Sequence, residues 1–386
     1  MKYELTSHTW GDEEIESIQD VIKSGRFTMN GKVKEFEEEF ARHFGVKYAA
    51  MVNSGSSANL IAVASLFYKK EKPLERGDEV IVPCVSWATT YHPLQQYGLK
   101  LKFVDVDLKT LNFDMEELRK AVTRKTKMIV AVSILGNPCK FDEIIEICEK
   151  NGILLFEDNC ESMGARFNGR YTGTFGFVNT FSTFYSHHIS TMEGGLVLTD
   201  DKEMYNLFKA VRNHGWVRDQ DEDSPIFKRQ ADDFFEAYRF ILPGYNVRPT
   251  EIQGALGLKQ LDKLDKFVEI RRENALHFRK LFTGDERFIL QQETGESSWF
   301  CFTMILNPEA KLDRKKVLLK LKEAGIEHRI ITGGCFLRHD VIKYYDYVCA
   351  KSTNADIVHD NGFFVGNFSY DIKDKIEYLH EVLKTI

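Results

Sequence analysis

Four short segments carry polar residues whose types and spacing could bind a charged ligand or move protons. The first is NSGSSA (53–58), which stands between an apolar run and a helical pattern. A turn of this kind points backbone N–H groups and hydroxyls at one place, with the helix dipole behind them, so a phosphate fits there. The alternative is an ordinary helix start capped by serines. The segment therefore predicts either an anion site or a helix cap.

The second segment is FEDNCE (156–161), at the end of an apolar run. A carboxylate at the C-terminal end of a buried strand lies where open α/β sheets bind ligands. Asp158 could therefore hold a protonated ring nitrogen, and its charge would keep a pyridinium cationic and make that ring an electron sink. The alternative is a loop carboxylate that caps the next turn.

The third segment is FSTFYSHHISTMEGG (181–195), which contains the adjacent histidines His187 and His188. An imidazole can take and return protons near neutrality because its ordinary pKa is about 6.5. The alternative is a solvent-exposed pair in a loop. A metal site would need further ligands at suitable spacing, which two adjacent histidines do not supply, so we expect no metal.

The fourth segment is PGYNVRPT (243–250), where a glycine and two prolines predict a rigid turn before a long helical pattern. Asn246 and Arg248 are polar groups carried by that turn. The alternative is a domain junction without chemistry.

The elements that must position these segments alternate between apolar runs and helical periodicity over residues 15–250. Strands are predicted at 48–55, 78–83, 101–107, 127–135 and 153–159, a further strand pair at 180–186 and 194–200, and helices at 32–45, 56–70 and 141–152. Strand, helix, strand at this rhythm predicts an α/β fold whose mostly parallel sheet is covered on both faces.

The pattern changes after about residue 250. Residues 250–282 are predicted to be long, charged and helical, 299–306 to form a strand, and 313–330 to form a helix followed by a strand. We therefore predict a large domain at 1–250 and a smaller α+β C-terminal domain at 251–386, with the first residues of the chain able to pack on the smaller one.

Composition excludes several classes of protein. The chain has 386 residues, of which 43% are hydrophobic, which is ample for a large core, and its net charge is -6. Nucleic acid and anionic membranes require a basic surface, so we expect neither as a partner. The N-terminus shows no basic stretch followed by an apolar run, and no stretch of about 18 uncharged apolar residues occurs, so we expect a cytoplasmic location.

The seven cysteines are scattered and form no C-x-C or C-x-x-C pair; they are Cys84, Cys139, Cys148, Cys160, Cys301, Cys335 and Cys349. A disulfide framework and a cysteine-ligated zinc or iron–sulfur site are therefore not supported.

In order and spacing together, the four segments resemble the nucleotide-sugar aminotransferase family of pyridoxal-phosphate enzymes. That family shows S-G-T-x-A, then E-D-x-A-[QE], then S-x-x-x-x-K before G-E-G-G, then G-x-N-x-R. The matching positions here are 54–58, 157–161, 182–195 and 244–248, and the resemblance runs from about residue 10 to the C-terminus. It implies the aspartate-aminotransferase fold, PLP fold type I.

One departure from the family pattern changes the implied chemistry. The family's lysine falls on His187, and an imidazole cannot form the Schiff base that a lysine amine forms. Histidine at this position is a feature of the sugar 3-dehydratases of the family. Those that act on CDP sugars hold an iron–sulfur cluster through a C-x-C pair, which this chain lacks. The resemblance therefore favours the cluster-free branch, which acts on GDP-linked 4-keto-6-deoxy sugars in dideoxysugar synthesis for the O-antigen.

This resemblance implies a hydro-lyase. Glutamate converts pyridoxal phosphate into pyridoxamine phosphate and leaves as 2-oxoglutarate, the sugar loses its C3 hydroxyl, and ammonia is released. His187 is implied as the base, and as a candidate for the acid that helps hydroxide leave. His188, one residue on, is expected to point elsewhere.

The resemblance also implies a homodimer with shared sites, and it assigns the remaining roles. Gly55, Ser56 and Ser182 are expected to bind the cofactor's phosphate, and Asn246 to reach the phosphate site of the partner subunit. Trp87 is expected to stack on the pyridine ring, with a core tryptophan as the alternative. Asp158 is expected to pair with the ring nitrogen, and Glu161 to contact the ring hydroxyl or the surroundings of Asp158.

Substrate contacts are expected at His214, Arg248 and Arg329. Arg329 could clamp a glutamate carboxylate, although Ile330 follows it where the family has proline. An ordinary aminotransferase would need another lysine, and the flanking Lys150 and Lys202 lie beyond neighbouring elements. A non-catalytic binding protein with the same fold is the further alternative.

Overall fold

A computed structural model describes residues 1–386. The strands are β1 Tyr48–Val52, β2 Glu79–Pro83, β3 Lys100–Val104, β4 Thr126–Val132, β5 Leu154–Asp158, β6 Arg166–Phe167, β7 Arg170–Tyr171, β8 Val178–Ser182, β9 Gly195–Thr199, β10 Phe288–Leu290, β11 Cys301–Leu306, β12 Tyr347–Cys349 and β13 Gly362–Gly366. The helices are α1 Asp12–Ser24, α2 Gly31–Phe44, α3 Gly55–Leu66, α4 Ala88–Gln96, α5 Met115–Ala121, α6 Phe141–Asn151, α7 Lys202–Arg212, α8 Asp233–Glu236, α9 Glu251–Leu261, α10 Leu264–Phe282, α11 Arg314–Glu323, α12 Thr353–Asn361 and α13 Lys373–Lys384.

Eight strands form the main sheet, in the order β1-β9-β8-β5-β4-β2-β3-β12. Only β9 runs against the others, because it pairs antiparallel with both of its neighbours, β1 and β8. Every residue of β2, β8 and β9 is buried, as expected for a sheet covered on both faces. The predicted α/β fold with a mostly parallel sheet is confirmed.

Sequence periodicity explains why the flanking helices form where they do. In α2, Val33, Phe36, Phe40 and Phe44 recur every three or four residues and all are buried. Gly45 ends this helix in the left-handed conformation, with φ 72°. The same cap, at Gly152, ends α6 before the strand that carries Asp158.

A second sheet, β10-β11-β13, is antiparallel and lies in the C-terminal part of the chain. Helices α10, α11 and α13 cover it, and the N-terminal Tyr3 is buried in the same apolar cluster. One strand from this half of the chain, β12, returns to pair with β3 at the edge of the main sheet. The division at residue 250 remains a prediction.

Two sequence predictions about this half are wrong. The helix expected over 250–282 is divided into α9 and α10 at Asp262 and Lys263. The strand predicted directly after α11, up to residue 330, does not form, since Ile326 and Arg329 make only isolated bridges, with Tyr3 and Phe364. No helix is both long and apolar enough to cross a lipid bilayer.

Candidate active site

A cavity of about 480 Å³ lies where the C-terminal ends of β5 and β8 meet the start of α3. Parallel strands open such a crevice at their carboxyl ends. Eight of the residues predicted from sequence line it: Gly55, Ser56, Trp87, Asp158, Glu161, Ser182, His187 and Arg329. The structure therefore brings together segments that are more than 250 residues apart in the chain.

The start of α3 forms a cradle for an anion. Ser54 is the N-cap, and its hydroxyl accepts a hydrogen bond from the Ser57 N–H at 3.1 Å. Gly55 faces Ser182 so closely that a Cβ at Gly55 would lie 2.5 Å from the Ser182 Cβ. Only glycine permits this approach. The first-turn N–H groups, the helix dipole and the serine hydroxyls together suit a phosphate.

Asp158 is buried at the end of β5 and is held by three donors. One carboxylate oxygen accepts hydrogen bonds from Asn59 Nδ2 and Thr90 Oγ1, both at 2.8 Å, and the other accepts from the Cys160 N–H at 3.2 Å. Asn59 is itself fixed, because Thr180 Oγ1 donates to its side-chain oxygen at 2.6 Å. The carboxylate is therefore held in one orientation at the cavity wall.

The sequence interpretation did not include the three side chains that hold Asp158 and its partner. A signal was present for Asn59, because it is a lone amide in the apolar helix GSSANLIAVASL and is buried. A buried polar side chain in such a helix requires a hydrogen-bond partner. Thr90 and Thr180 carried no comparable signal, since threonine is common in helices and strands alike.

Two glutamates near Asp158 have unusual environments. Glu161 lines the cavity and accepts a hydrogen bond from the Leu135 N–H at 3.0 Å. Burial raises the pKa of Glu161 to about 7, and the Asp158 charge adds to the rise. Glu157 faces away and accepts the N–H groups of Gly173, Phe175 and Gly176. Burial raises the pKa of Glu157 to about 7 as well.

His187 lies on the connection between β8 and β9, with its ring against the cavity. It stands edge-on to the ring of Phe300 at 5.2 Å and to that of Phe184 at 5.8 Å. Its Nδ1 is buried and has no hydrogen-bond partner. Burial lowers the pKa of His187 to about 4, and the Arg271 guanidinium also lowers it. The imidazole is therefore neutral near pH 7 and able to accept a proton.

The neighbouring His188 points into the protein interior. It is fully buried, does not line the cavity, and its Nε2 lies 3.2 Å from the Ser298 carbonyl oxygen. Burial lowers the pKa of His188 well below its ordinary value, and the Arg271 guanidinium acts in the same direction. Only His187 lines the cavity, so His188 points elsewhere, as the sequence interpretation expected.

Trp87 stands at the cavity rim, one residue before α4, and 59% of its surface is exposed. The alternative of a core tryptophan is therefore wrong. An exposed indole at a cavity mouth presents a free aromatic face, which is what stacking on a flat ring requires.

Three predicted residues, Asn246, Arg248 and His214, do not line this cavity. Asn213 pairs with Asn246, the His214 N–H donates to the Tyr245 carbonyl at 2.7 Å, and Arg248 Nε donates to Asn246 Oδ1 at 3.0 Å. Backbone contacts and one side-chain hydrogen bond thus bring these residues into one cluster outside the cavity. The expectation that Asn246 serves another subunit is compatible with this position and remains a prediction.

Known proteins are similar in sequence to this chain over its whole length. Residues 8–366 match the family model described as the DegT/DnrJ/EryC1/StrS aminotransferase family, and the chain belongs to that family. The GDP-4-keto-6-deoxy-D-mannose 3-dehydratases of Escherichia coli O55:H7 and Yersinia pseudotuberculosis are 51% and 50% identical to it. Both alignments cover 100% of this chain, and they cover 100% and 98% of those relatives.

Solved structures of GDP-4-keto-6-deoxymannose-3-dehydratase have the same fold. Two of them reach a TM-score of 0.98 at 51% identity, over 99% of this chain and 100% of those chains. One is a histidine-to-asparagine variant with bound GDP-perosamine, and the other contains a trapped PLP–glutamate geminal diamine. A third, with a TM-score of 0.96 at 50% identity over 98% of this chain and 100% of that one, has substitutions at a serine and at the histidine that directly follows it.

The residues around the cavity fit pyridoxal phosphate. The glycine-only approach of α3 to Ser182 leaves an anion cradle at one side, and the oriented carboxylate of Asp158 stands at another. The His187 Nδ1, which has no hydrogen-bond partner, lies at a third side of the cavity. No lysine lines the cavity, and no group of three or more His, Cys, Asp and Glu side chains is arranged to hold a metal ion.

Proposed function

We propose that this protein removes the C3 hydroxyl of a nucleotide-linked 4-keto-6-deoxy sugar, with GDP-4-keto-6-deoxy-D-mannose as the substrate. Glutamate provides the amine, and the products are the 4-keto-3,6-dideoxy sugar, 2-oxoglutarate and ammonia. The two electrons that replace the C3–OH bond by C3–H come from glutamate, so the balance needs no further reductant. The enzyme class is a hydro-lyase that uses pyridoxal phosphate in its amine form.

The observation that carries this proposal is His187 at the cavity with no lysine beside it. An aminotransferase of this family needs a lysine amine for Schiff-base formation, and the cavity offers none. The retained cradle at Gly55 and the firmly oriented Asp158 favour an enzyme over a non-catalytic binding protein. The full-length similarity to two named dehydratases supports the same reading.

The proposed role of each residue follows from its position in the cavity. Gly55, Ser56 and Ser182 would bind the phosphate, and Trp87 would stack on the ring. Asp158 would accept the N–H of the ring nitrogen and keep that nitrogen cationic, because its three donors hold it in place.

Proton transfer falls to His187. Pyridoxamine phosphate, when bound, would supply the amine that condenses with the C4 ketone and a conjugated ring that passes the electrons freed by proton removal toward C3, where they expel the hydroxyl. Because the pKa of His187 is about 4, its imidazole is neutral near pH 7. It can therefore accept a proton from C4′, the cofactor carbon that carries the amine. The protonated imidazolium could then donate its proton to the departing hydroxide. In the related structure the substituted histidine directly follows a substituted serine, the order of Ser186 and His187 here.

Three further assignments belong to this proposal. The protein forms a homodimer in which Asn246 of each subunit completes the other's phosphate site. It acts in the cytoplasm, in dideoxysugar synthesis for the O-antigen. Residues 1–250 form the cofactor domain and 251–386 the small domain. The exposed position of Asn246 outside the cavity of its own subunit supports the first of these.

A substrate panel tests the function. The full-length protein, pyridoxal phosphate and glutamate are incubated with GDP-, CDP-, dTDP- and UDP-linked 4-keto-6-deoxy sugars, and ammonia and 2-oxoglutarate are measured together. We expect equal amounts of both with the GDP sugar. An amino sugar without ammonia would indicate an aminotransferase, and no change in the absorbance of pyridoxal phosphate with glutamate would indicate a binding protein.

A further inference from the structure

Arg271 is a buried cation that lacks a counter-charge. It lies on α10, only 4% of its surface is exposed, and it lines the cavity together with His187. No aspartate or glutamate pairs with it, and burial lowers the pKa of Arg271 to about 10. An uncompensated charge in the interior is costly and is retained where a ligand supplies the opposite charge.

The hydrogen bonds of Arg271 leave donors free. Its Nη1 donates to the carbonyl oxygens of Phe300 at 3.1 Å and Asn367 at 2.7 Å. Its Nε is buried and has no partner. A guanidinium has five N–H donors in a planar fork, and that fork matches a carboxylate.

We propose that Arg271 binds the α-carboxylate of the amine donor, a dicarboxylic amino acid, an inference that rests on the function proposed above. Phe300 places the guanidinium beside the reacting atoms, because its carbonyl accepts from Arg271 and its ring contacts His187 at 5.2 Å.

The position of Arg271 distinguishes the α-carboxylate from other anions. In an amino acid, that carboxylate is bonded to the carbon that loses the amine, so it must lie next to the group that moves the proton. The diphosphate of a nucleotide sugar is separated from C4 by the sugar ring and lies farther from His187. The cofactor's phosphate belongs at the α3 cradle. Arg329, which also lines the cavity, is left for the second carboxylate.

The competing explanation is a structural clamp. The two carbonyl bonds of Arg271 fasten α10 to the residues that flank β11 and β13. Arg272 provides a matched control, because it is the next residue of the same helix and turns away from the cavity. Its Nε donates to the Ser297 carbonyl at 2.8 Å, and its Nη1 contacts Glu296 at 3.4 Å.

The test separates the two half-reactions in Arg271→Lys, Arg271→Met and Arg272→Lys. We expect the half-saturating glutamate concentration to rise about 10- to 100-fold in the Arg271 variants, since a charge-assisted hydrogen bond is lost. The dissociation constant of α-methylglutamate, which binds but cannot transfer its amine, should rise equally. Dehydration by protein preloaded with pyridoxamine phosphate should fall much less than the glutamate half-reaction, least in Arg271→Lys, which keeps a positive charge beside His187. Arg272→Lys should change none of these.

Equal losses in both half-reactions, or unchanged α-methylglutamate binding, would overturn the proposal in favour of the clamp. If the Arg271 variants do not fold, the native protein decides by comparing glutamate with its α-amide and its γ-amide. We expect the α-amide to be the poorest of the three, and equal use of the two amides contradicts the proposal. Failure of the preloaded native protein to dehydrate the GDP sugar would count against the proposed function, while α-methylglutamate binding would still test Arg271.

Discussion

Two histidines that are adjacent in the sequence have different surroundings. His187 faces the cavity, whereas His188 is fully buried and approaches the Ser298 carbonyl. Position relative to the following glycines was enough to choose between them from the sequence, because the family pattern counts back from Gly194 and Gly195. The low pKa of His187, about 4, could not have been predicted, since it depends on burial and on Arg271, which is 84 positions away in the sequence.

The first prediction concerns His187→Lys. The variant regains an amine at the cavity and should bind pyridoxal phosphate covalently, so that borohydride fixes the cofactor to the chain. Dehydration should fall by about 10²- to 10⁴-fold, the usual contribution of a positioned acid–base group. Mass spectrometry after borohydride and an ammonia assay measure the two effects.

His188→Lys is the control for that substitution. Its amine would start from a buried position outside the cavity, so no borohydride-stable adduct should form. An adduct in His188→Lys and none in His187→Lys would move the catalytic assignment by one residue.

A second prediction concerns Asp158→Asn. The amide fits the same space and can keep a contact with Thr90, but it carries no charge to hold the ring nitrogen protonated. Cofactor should still bind, while dehydration falls about 100-fold or more, as when one preorganised electrostatic partner is removed from an active site. Cofactor absorbance and single-turnover rates measure these effects, and unchanged turnover would remove Asp158 from the mechanism.

A third prediction uses the raised pKa of Glu161. Its native pKa of about 7 exceeds the ordinary 4.5, so the folded state binds the proton more tightly than the unfolded state does. Its favourable contribution is therefore complete below pH 4.5 and is lost as pH rises to about 7. Glu161→Gln removes this dependence and can still accept from Leu135. Without cofactor, the variant should become more thermally stable than the native protein as pH rises between these values, and the difference in melting temperature should stay constant above them. A difference in melting temperature that does not depend on pH would contradict this.

At the scale of elements, apolar runs and helix caps were reliable guides. Gly45 and Gly152 marked helix ends correctly because each adopts the left-handed conformation after a periodic segment. The break between α9 and α10 was not predictable, since LDKL contains neither proline nor glycine. At the break, Lys263 pairs with the buried Glu14 of α1 at 2.7 Å, a tertiary contact that the local sequence does not reveal.

A fourth prediction tests the start of α3. Gly55→Ala would place a Cβ 2.5 Å from the Ser182 Cβ, so the helix must shift away from the cradle. We expect a loss of about 1–3 kcal/mol in the free energy of unfolding and weaker cofactor binding. Gly31→Ala at the start of α2 is the control, because nothing lies within 4 Å of the added carbon. Urea unfolding and cofactor titration measure both variants, and equal behaviour would show that the contact does not matter.

At the scale of the whole molecule, the predicted site residues fall into two groups. His187 and Asp158 line the cavity, whereas Asn246, Arg248 and His214 lie in a surface cluster outside it. The sequence linked these residues through a family pattern. It could not show that they lie apart in one chain, because the distances between distant segments are set by the tertiary fold.

The fifth prediction follows from that division. His187→Asn and Asn246→Ala should each be nearly inactive alone, yet their coexpression should restore about one quarter of native activity. If the subunits pair at random, half of the dimers contain one His187→Asn subunit and one Asn246→Ala subunit. In each such dimer one of the two sites has both an intact His187 and an intact Asn246. Ammonia release by the mixture measures the effect. No recovery, or full activity of a monomer in sedimentation, contradicts the shared site.

The connection that carries His187 is closed at its base. Ser182 and Gly195 face each other as the last pair of β8 and β9, and the Thr183 N–H donates to the Gly194 carbonyl at 2.9 Å. The twelve residues 183–194 thus leave and re-enter the sheet at one point, where the two strands are paired. In evolutionary terms this connection is a segment that can change while the rest of the site is kept. Descendants of one ancestor could change from adding an amine to removing a hydroxyl through substitutions in this hairpin, with the sheet, the cradle and the cofactor unchanged.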